Sequence, residues 1–395
     1  MESLKDRSCT VFVSIGEESG DIYAAYLIER IKDEANAPGI TFVGIGGSNM
    51  GQAGVRVLFD TVDIATLGLV EPIPYWRKWS RVWHIVKEEL TLRRPNLILA
   101  VSNDMFNLRL ARLAQKSRIP FIYALAPEIW GWRSKIKPPF LYDRGRAASK
   151  LSTHILSCLR IDYEAYTALG ANVTYVGHPF VDIVRSTIAK EEMKAILGIP
   201  RSKPLVGLLP GSRHQEVRAH LPVMLEACKI IRDKHSEEIQ YVLIPTKRTR
   251  RLVERIIVHS GLRPIVVDQN RRHNTIAACE FVIATSGTVV LEASCLGVPS
   301  LVVYKCSPVT WFYLKHLTVH AKWISLPNIL SSRRIVPELL QNSCKPNKIA
   351  SLALNWLGNH NSLEVIRRDL AEVKSHLGEP GSFQRAAKIV MRYIE

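Results

Sequence analysis

The sequence alternates short apolar runs with longer stretches of helical periodicity, and this alternation constrains the fold more than any other feature. Stretches such as residues 22–32 and 108–116 repeat apolar residues at the spacing of a helix. A β-α repeat implies a parallel sheet with helices on both faces. Each apolar run is therefore predicted to be a buried strand, in two series: 10–15, 41–45, 97–101, 121–125, 154–158 and 173–176, then 205–209, 241–244, 264–267, 281–284 and 301–304.

The two series predict an α/β protein with two Rossmann-like, doubly wound parallel-sheet domains. A chain of 395 residues is long enough for two separate cores. We expect an N-terminal domain at 1–180, a C-terminal domain at 181–365, and a final helical segment, 366–395, that packs back on the N-terminal domain. Ligands of such sheets bind at the carboxyl ends of the strands, so the loops that follow the runs are the candidate sites.

Composition excludes several classes of protein. Hydrophobic residues make up 47% and charged residues 23%, which is typical of a globular protein. No apolar run approaches the roughly 18 residues that span a bilayer, and the polar residues 1–8 give no reason to expect a signal peptide. The seven cysteines are scattered without CxxC spacing, so we expect a cytoplasmic protein with neither a metal site nor a disulfide framework.

The formal net charge of +17 indicates an anionic partner. Nucleic acid, an anionic membrane surface and phosphorylated small molecules all fit such a charge. No zinc-finger, helix-turn-helix or RNP-type pattern occurs in the sequence, so nucleic acid is disfavoured.

One segment of the N-terminal half combines tryptophan with positive charge. Its three tryptophans recur at helical spacing beside three cations: Trp76, Trp79 and Trp83 with Arg77, Lys78 and Arg81. This composition is typical of an interfacial membrane anchor, although a helix packed on the core with a basic rim has the same pattern. Residues 311–323 repeat the composition, and together with the net charge they favour a contact with a membrane surface or acyl chains.

Two turns of the second series are suited to phosphate. The first follows run 205–209, contains Gly211, Ser212 and Arg213, and precedes a helical stretch at 216–232. A helix N-terminus offers free amides and partial positive charge. The guanidinium of an arginine can add two parallel hydrogen bonds to the phosphate oxygens. Taken alone, this turn could be an ordinary strand-to-helix loop with a solvated arginine.

The second turn gives the first one a partner. Ser286, Gly287 and Thr288 follow run 281–284 and supply amide and hydroxyl donors at another helix N-terminus. Glu292 lies one turn later on the same helix face, where its carboxylate could accept both hydroxyls of a ribose. The pair of turns predicts a site for a nucleoside diphosphate that requires no metal. The glycines at 44–47 do not complete GxGxxG, and no Walker lysine is present.

The loop after run 97–101 is a candidate position for a catalytic base. Its carboxylate, Asp104, would lie at the carboxyl end of a buried strand, although an aspartate there could equally cap the following helix. The aromatic loop at 126–133 contains Trp130 and Trp132, which either wall a cleft or are buried in the core.

Taken together, these motifs resemble the lipid-A-disaccharide synthase family of inverting glycosyltransferases. In that family two Rossmann-like domains face each other across a cleft, which is the GT-B architecture. The resemblance covers nearly the whole chain and rests on the number and order of its motifs: GEESGD (16–21), FVGIGGSNM (42–50), LGLVEPI (67–73), FNLRLAR (106–112), WGWR (130–133), VGHPFVD (176–182), LLPGSRHQEV (208–217), TSGTVVLEA (285–293), SLPNIL (325–330) and VPELLQ (336–341).

The resemblance implies a hexosyltransferase of lipid A biosynthesis. The donor would be UDP-2,3-diacylglucosamine, a UDP-linked acylated amino sugar, and the acceptor a lipid monosaccharide phosphate, 2,3-diacylglucosamine 1-phosphate. The products would be the β-1,6-linked disaccharide 1-phosphate and UDP, formed without a cofactor. The resemblance also implies a peripheral location on the inner face of the cytoplasmic membrane, and it leaves a homodimer open.

Residue roles follow from the family's motifs position by position. Arg213 would hold the donor diphosphate and Glu292 the ribose, while Glu17 would face the cleft. The other residues implied to bind substrate are Gly211, Ser212, Glu216, Ser286, Gly287, Thr288 and Asn328.

The chain departs from the family at the proposed catalytic base. The family's loop here normally reads GIDAPDFN, and its first aspartate is that base, whereas this chain has Ser102 at the same position. A serine hydroxyl has too high a pKa to accept the proton unaided. Three carboxylates could take over: Asp104, Glu17 and Glu128, the last of which appears where the family's VSPSVWAW becomes LAPEIWGW at 125–132.

This departure keeps two further functions open beside the family's own reaction. One is a related glycosyltransferase with a shifted lipid-sugar substrate. The other is a non-catalytic relative that binds a UDP-sugar or lipid. A non-hydrolysing UDP-sugar epimerase shares the two-domain layout and is a more remote alternative.

Overall fold

The computed structural model describes residues 9–35, 39–64, 75–129, 142–308, 311 and 322–394. Within these residues the chain forms two parallel sheets covered by helices, so the expected α/β fold is confirmed.

The first sheet has the strand order β3-β2-β1-β4-β5-β6-β7 within the described residues, and every pairing is parallel. Its central strands are almost continuously apolar and buried, as expected of a sheet covered on both faces. The strands are β1 Cys9–Ile15, β2 Ile40–Gly46, β3 Arg56–Asp60, β4 Leu97–Val101, β5 Phe121–Ala124, β6 His154–Ser157 and β7 Val173–Tyr175. The helices of this part are α1 Glu18–Ala35, α2 Ser48–Gln52, α3 Trp76–Arg93, α4 Asp104–Ser117, α5 Tyr142–Leu151, α6 Arg160–Ala168 and α7 Phe180–Ile183.

The second sheet has the order β10-β9-β8-β11-β12-β13 in the described part of the chain, again all parallel. Its strands are β8 Leu205–Leu209, β9 Gln240–Leu243, β10 Ile265–Val266, β11 Phe281–Thr285, β12 Ser300–Tyr304 and β13 Glu338–Leu340. The helices from residue 190 onward are α8 Lys190–Ile196, α9 His214–Lys234, α10 Arg250–Val258, α11 Arg272–Ala278, α12 Thr288–Cys295, α13 Leu326–Leu330, α14 Pro346–Gly358, α15 His360–Ser375 and α16 Ser382–Met391.

All predicted strands are present, with ends that differ from the predictions by at most one residue. Two strands were not predicted, Arg56–Asp60 and Glu338–Leu340, and both lie at the edge of a sheet. Their side chains are mostly half-buried and include charged residues, so neither segment forms the apolar run that marks a central strand.

The chain divides into two compact units that differ in extent from the expected domains. The first unit runs to Asp182 and includes Leu377–Glu395; the second comprises Ile183–Pro308 and Ala321–His376. Helix α15 packs against α12 of the second unit, and the residues from Leu377 onward belong to the first unit. Helix α16 packs on α1 of the first unit, where Phe383 contacts the ring of Tyr23 at a centroid distance of 5.3 Å.

The carboxylate of Asp21 holds the glycine-rich loop after β2 in place. Asp21 is 1% exposed. One oxygen accepts the amides of Gly47 and Met50 at 2.8 and 3.3 Å, and the other accepts the amide and side chain of Asn49 at 3.0 and 2.9 Å. The first turn of α2 thus has its free amides satisfied from α1.

Replacing Asp21 by asparagine will destabilise the first unit. An asparagine offers one acceptor oxygen for four donors, and its NH₂ group must face two of them. We expect D21N to lower the free energy of unfolding by about 2 kcal/mol, measured by chemical denaturation. D33N is the control, because Asp33 is exposed and its loss is expected to cost less than about 0.5 kcal/mol. Equal stability of the two variants would contradict the assigned role of Asp21.

Candidate functional site

The carboxyl ends of β4 and β5 carry unusual backbone conformations. Ser102, Asn103 and Leu125 have φ angles of 49°, 51° and 49°, in the left-handed region that residues with a side chain seldom occupy. Asn107 is fully buried and fixes this loop, since it donates to the carbonyl of Ser102 at 2.6 Å and accepts the hydroxyl of Ser14 at 2.6 Å. The two left-handed residues redirect the chain from β4 into α4 within one short turn.

Asp104 is the first residue of α4, and Asn103 occupies the N-cap position. The alternative that Asp104 caps this helix is therefore wrong. The hydroxyl of Tyr123 lies 3.4 Å from its Oδ1, and Nη1 of Arg144 lies 3.9 Å from its Oδ2. Burial raises the pKa of Asp104 to about 6, although Arg144 and Tyr123 oppose the shift.

Glu17 lies close enough to Asp104 to raise its pKa, and both of these carboxylates act on Glu128. Glu128 is a solvent-exposed residue. Desolvation by the surrounding protein, reinforced by Asp104 and Glu17, raises the pKa of Glu128 to about 7. Asp162 lies in the interior beneath this loop, where it accepts the amide of Ile129 at 3.3 Å, and burial raises its pKa well above the ordinary range. The structure therefore brings the three carboxylates predicted from the sequence into one electrostatic cluster.

Ser102, by contrast, has no means of acting as a base. Its hydroxyl is buried and makes no hydrogen bond with any described residue. A Cβ added at Gly20 would lie 3.1 Å from this hydroxyl, so the serine occupies a narrow space beside α1.

In the second unit, Glu216 takes up several of the donors predicted to bind phosphate. Its carboxylate accepts the amides of Ser212 and Arg213 at 3.0 and 3.2 Å and pairs with the guanidinium of Arg213 at 2.7 Å. A Cβ on Gly211, whose φ is 107°, would lie 2.5 Å from Oε2 of Glu216, so only glycine fits there. The hydrogen bonds of Glu216 therefore fix the conformation of this turn.

The second predicted turn leaves its helix N-terminus open. Gly287 occupies the N-cap of α12 and Thr288 begins the helix, and both are exposed. The carboxylate of Glu292 accepts two hydrogen bonds from Arg272, at 2.6 and 3.1 Å. Sequence reasoning missed Arg272 because its partner lies 20 residues away on another helix. Ser286 is half-buried, and its hydroxyl lies 3.4 Å from the carbonyl of Ile324.

Asn328, which the resemblance implies to bind substrate, has its polar atoms engaged by neighbouring residues of the second unit. It is fully buried, and its oxygen accepts the amides of Ile335 and Val336 at 2.7 and 2.9 Å. Its NH₂ group donates to the carbonyl of Val336 and to Glu338, both at 2.9 Å. All its polar atoms serve the loop before β13, so the SLPN motif has a structural role here.

Of the three tryptophans of α3, two pack on the core and one is exposed, as a membrane anchor would require. Trp79 and Trp83 pack on Phe106 at centroid distances of 5.4 and 5.7 Å, and Arg109 lies 3.9 Å from the ring of Trp83. Trp76 is 61% exposed. Its neighbours Arg77, Lys78 and Arg81 are also exposed.

Some predicted features lie outside the described residues. They include the LGLVEPI motif at 67–73, the aromatic loop from Trp130 to Arg133, and most of the second basic aromatic segment, 312–321. Among the described residues, no His, Cys, Asp and Glu side chains form a group of three able to hold a metal ion. No described helix has the length and apolar character needed to cross a membrane.

Comparison with known proteins agrees with the motif series. The family model described as lipid-A-disaccharide synthetase matches residues 11–392. The lipid-A-disaccharide synthase of Geobacter sulfurreducens is 31% identical over 392 residues, which are 99% of this chain and 98% of that protein. The lipid-A-disaccharide synthase of Syntrophus aciditrophicus is 32% identical over 388 residues, covering 98% of each chain.

Solved structures confirm the fold class. The UDP-GlcNAc 2-epimerase from Neisseria meningitidis, solved bound to UDP-GlcNAc, superposes with a TM-score of 0.65 at 12% identity, covering 97% of this chain and 100% of that one. This likeness shows the GT-B fold and no more. The sequence relationships show the rest: the chain belongs to the lipid-A-disaccharide synthase family, the disaccharide-forming glycosyltransferases of lipid A biosynthesis.

Proposed function

We propose that this chain joins UDP-2,3-diacylglucosamine to 2,3-diacylglucosamine 1-phosphate and that Asp104 is its general base. The acceptor's 6-hydroxyl oxygen attacks the anomeric carbon of the donor on the face opposite UDP. The bond from that carbon to the phosphate oxygen breaks, and UDP leaves with its electron pair. The hydroxyl proton passes to the carboxylate of Asp104, and the product is the β-1,6 disaccharide.

The observation that carries this proposal is the environment of Asp104. Its carboxylate lies at the carboxyl end of β4, two residues beyond Ser102, which replaces the family's aspartate. A base works best when its pKa lies near the working pH but still leaves it ionised, and a pKa of about 6 meets both conditions at neutral pH. Glu128 follows β5 rather than β4 and does not lie beside the family's base position in the sequence, so we assign it a supporting role.

The second unit would bind the donor. Gly287 and Thr288 present the exposed N-terminus of α12 to phosphate, and Arg213 adds a guanidinium. We assign the ribose to Glu292, whose carboxylate Arg272 holds in one orientation while each oxygen keeps a further lone pair.

The N-terminal half of α3 would contact the membrane that holds both acylated substrates. Trp76 is exposed beside three exposed cations, whereas Trp79 and Trp83 pack inward. An exposed tryptophan with adjacent lysine and arginine is suited to the headgroup region of anionic lipids. We place the protein on the inner face of the cytoplasmic membrane on this basis.

A second function is supported by one observation, the loss of the family's aspartate at Ser102. Without a working base, the chain would bind the UDP-sugar and not turn it over. UDP affinity combined with no UDP release under any detergent condition would favour this alternative. UDP release with a different lipid sugar, and none with the expected pair, would indicate a shifted substrate.

Replacing Asp104 by asparagine tests the assignment of the base. D104N cannot accept the proton, so we expect UDP release to fall by roughly 10²- to 10⁴-fold while donor affinity is retained. D33N serves as the control for the loss of one exposed carboxylate. The double variant S102D/D104N returns a carboxylate to the family's position and should recover part of the activity. Wild-type turnover in D104N would show that Asp104 is not the base.

Replacing Glu128 by glutamine should stabilise the protein at alkaline pH. The folded-state pKa of Glu128 is raised to about 7 from an unfolded value near 4.5, so its ionisation opposes folding. The wild type therefore loses stability as the pH rises from about 4.5 to about 7, and E128Q lacks this loss. We expect a difference near zero at pH 4 and about 1 kcal/mol at pH 8, since solvent screens this exposed side chain. A pH-independent difference in unfolding free energy would contradict the raised pKa.

Vesicle binding tests the role of α3. We expect W76S to weaken binding to vesicles containing phosphatidylglycerol on the order of tenfold, because it removes the exposed ring. V365S is the matched control, since Val365 is 54% exposed but lies on α15 of the second unit. Equal binding by W76S and V365S in a flotation assay would argue against this surface.

A further inference from the structure

His220 is a fully buried residue of α9 for which the proposed chemistry gives no role. Its Nε2 accepts the backbone amide of Lys305 at 2.7 Å, and its Nδ1 lies 2.6 Å from the carbonyl oxygen of Glu216. Since an amide donates to Nε2, the ring proton must be on Nδ1, which donates to Glu216. Burial lowers the pKa of His220, in keeping with this neutral form.

These two hydrogen bonds join parts of the chain that surround the predicted phosphate turn. Lys305 follows β12 directly, and Glu216 lies in the first turn of α9. The carboxylate of Glu216 in turn fixes the amides of Ser212 and Arg213 and the guanidinium of Arg213. His220 therefore links the turn after β8 to the end of β12, and the ring of Tyr304, at a centroid distance of 5.6 Å, supports it.

Pro222 explains why α9 needs such a link. It lies inside the helix, where it has no amide to donate to the carbonyl of Arg218, and its ring crowds the preceding turn. The first two turns of α9, which contain Glu216, are consequently joined less firmly to the rest of the helix. An anchor to the sheet compensates for this weak point.

We propose that His220 is a positioning residue for donor binding, which holds the Arg213 turn in register with β12. The inference rests on the proposed function, because it takes the turn at residues 210–213 as part of the site for the donor diphosphate. A residue that serves only the core would contribute to stability and leave UDP affinity unchanged.

Three substitutions separate the two hydrogen bonds, with UDP binding by calorimetry as the measurement. H220F removes both bonds, H220N keeps a donor in reach of Glu216, and H220Q places an oxygen where Nε2 accepts from Lys305. If the link to β12 positions the turn, H220F and H220N weaken UDP binding about tenfold and H220Q stays close to wild type. The same order should appear in the donor KM, with kcat changed less.

His154 provides a matched control in the first unit. It is also a buried histidine with both ring nitrogens engaged, by Tyr393 at 3.0 Å and Thr174 at 2.9 Å. H154F should lower the melting temperature as H220F does, yet leave UDP affinity unchanged.

The substitution P222A provides an independent test through a double-mutant cycle. Alanine restores the helical hydrogen bond to Arg218, so the first turns of α9 no longer depend on the link to β12. UDP affinity should therefore fall less in H220F/P222A, relative to P222A, than in H220F relative to wild type. The P222A background also keeps the test available if H220F alone folds poorly.

The outcomes distinguish this inference from the proposed function. If wild type binds and releases UDP in the disaccharide assay but all three His220 variants keep its UDP affinity, the inference is overturned and the proposed function stands. Rescue by H220N rather than H220Q would also overturn it, because the local bond to Glu216 would then be the important one. Wild type that does not bind UDP would overturn both.

Discussion

The structure depends on side-chain carboxylates that accept backbone amides at the beginnings of helices. The first turn of a helix leaves amides without partners and concentrates partial positive charge, so a carboxylate is stabilised there and holds the preceding loop. In the described part of the chain, the acidic residues that do this include Asp21 for α2, Asp182 for α16, Glu216 for α9 and Glu338 for the segment that begins α13. The family motifs GEESGD, VGHPFVD, PGSRHQEV and VPELLQ each supply one of them.

Local patterns in the sequence predicted the strands and turns of the site, but not the carboxylates that hold those turns. Buried strands were predictable because burial on both faces leaves a continuous apolar run, whereas the edge strand Arg56–Asp60 leaves none. A strand, a glycine turn and a helix also predicted the turn at Arg213. The resemblance implied that Glu216 binds substrate, but its hydrogen bonds to the amides of this turn were not foreseen, because the same pattern suits a bound phosphate and a side-chain carboxylate equally well.

Long-range contacts account for the remaining differences. In the sequence, Asn328 has the appearance of a polar loop residue. The structure shows that its side-chain oxygen accepts the amides of Ile335 and Val336 and so stabilises the fold. The spacing of Trp79 and Trp83 fits either a membrane-facing or a core-facing side of the helix. Their ring contacts with Phe106 on α4 show that they face the core. These alternatives cannot be distinguished from a single sequence, because the deciding contacts are made with residues distant along the chain.

Asp104 differs from the structural carboxylates because the forces on it are opposed. Its place in the first turn of α4 and the guanidinium of Arg144 both favour the charged form. Burial and the charge of Glu17 oppose ionisation, and the balance leaves the pKa at about 6 instead of well below its ordinary value. Asp21 differs in geometry, because backbone amides already occupy both of its oxygens and hold the loop after β2. The left-handed pair Ser102–Asn103 places Asp104 at the helix start while leaving its carboxylate available, which is the condition a relocated base has to meet.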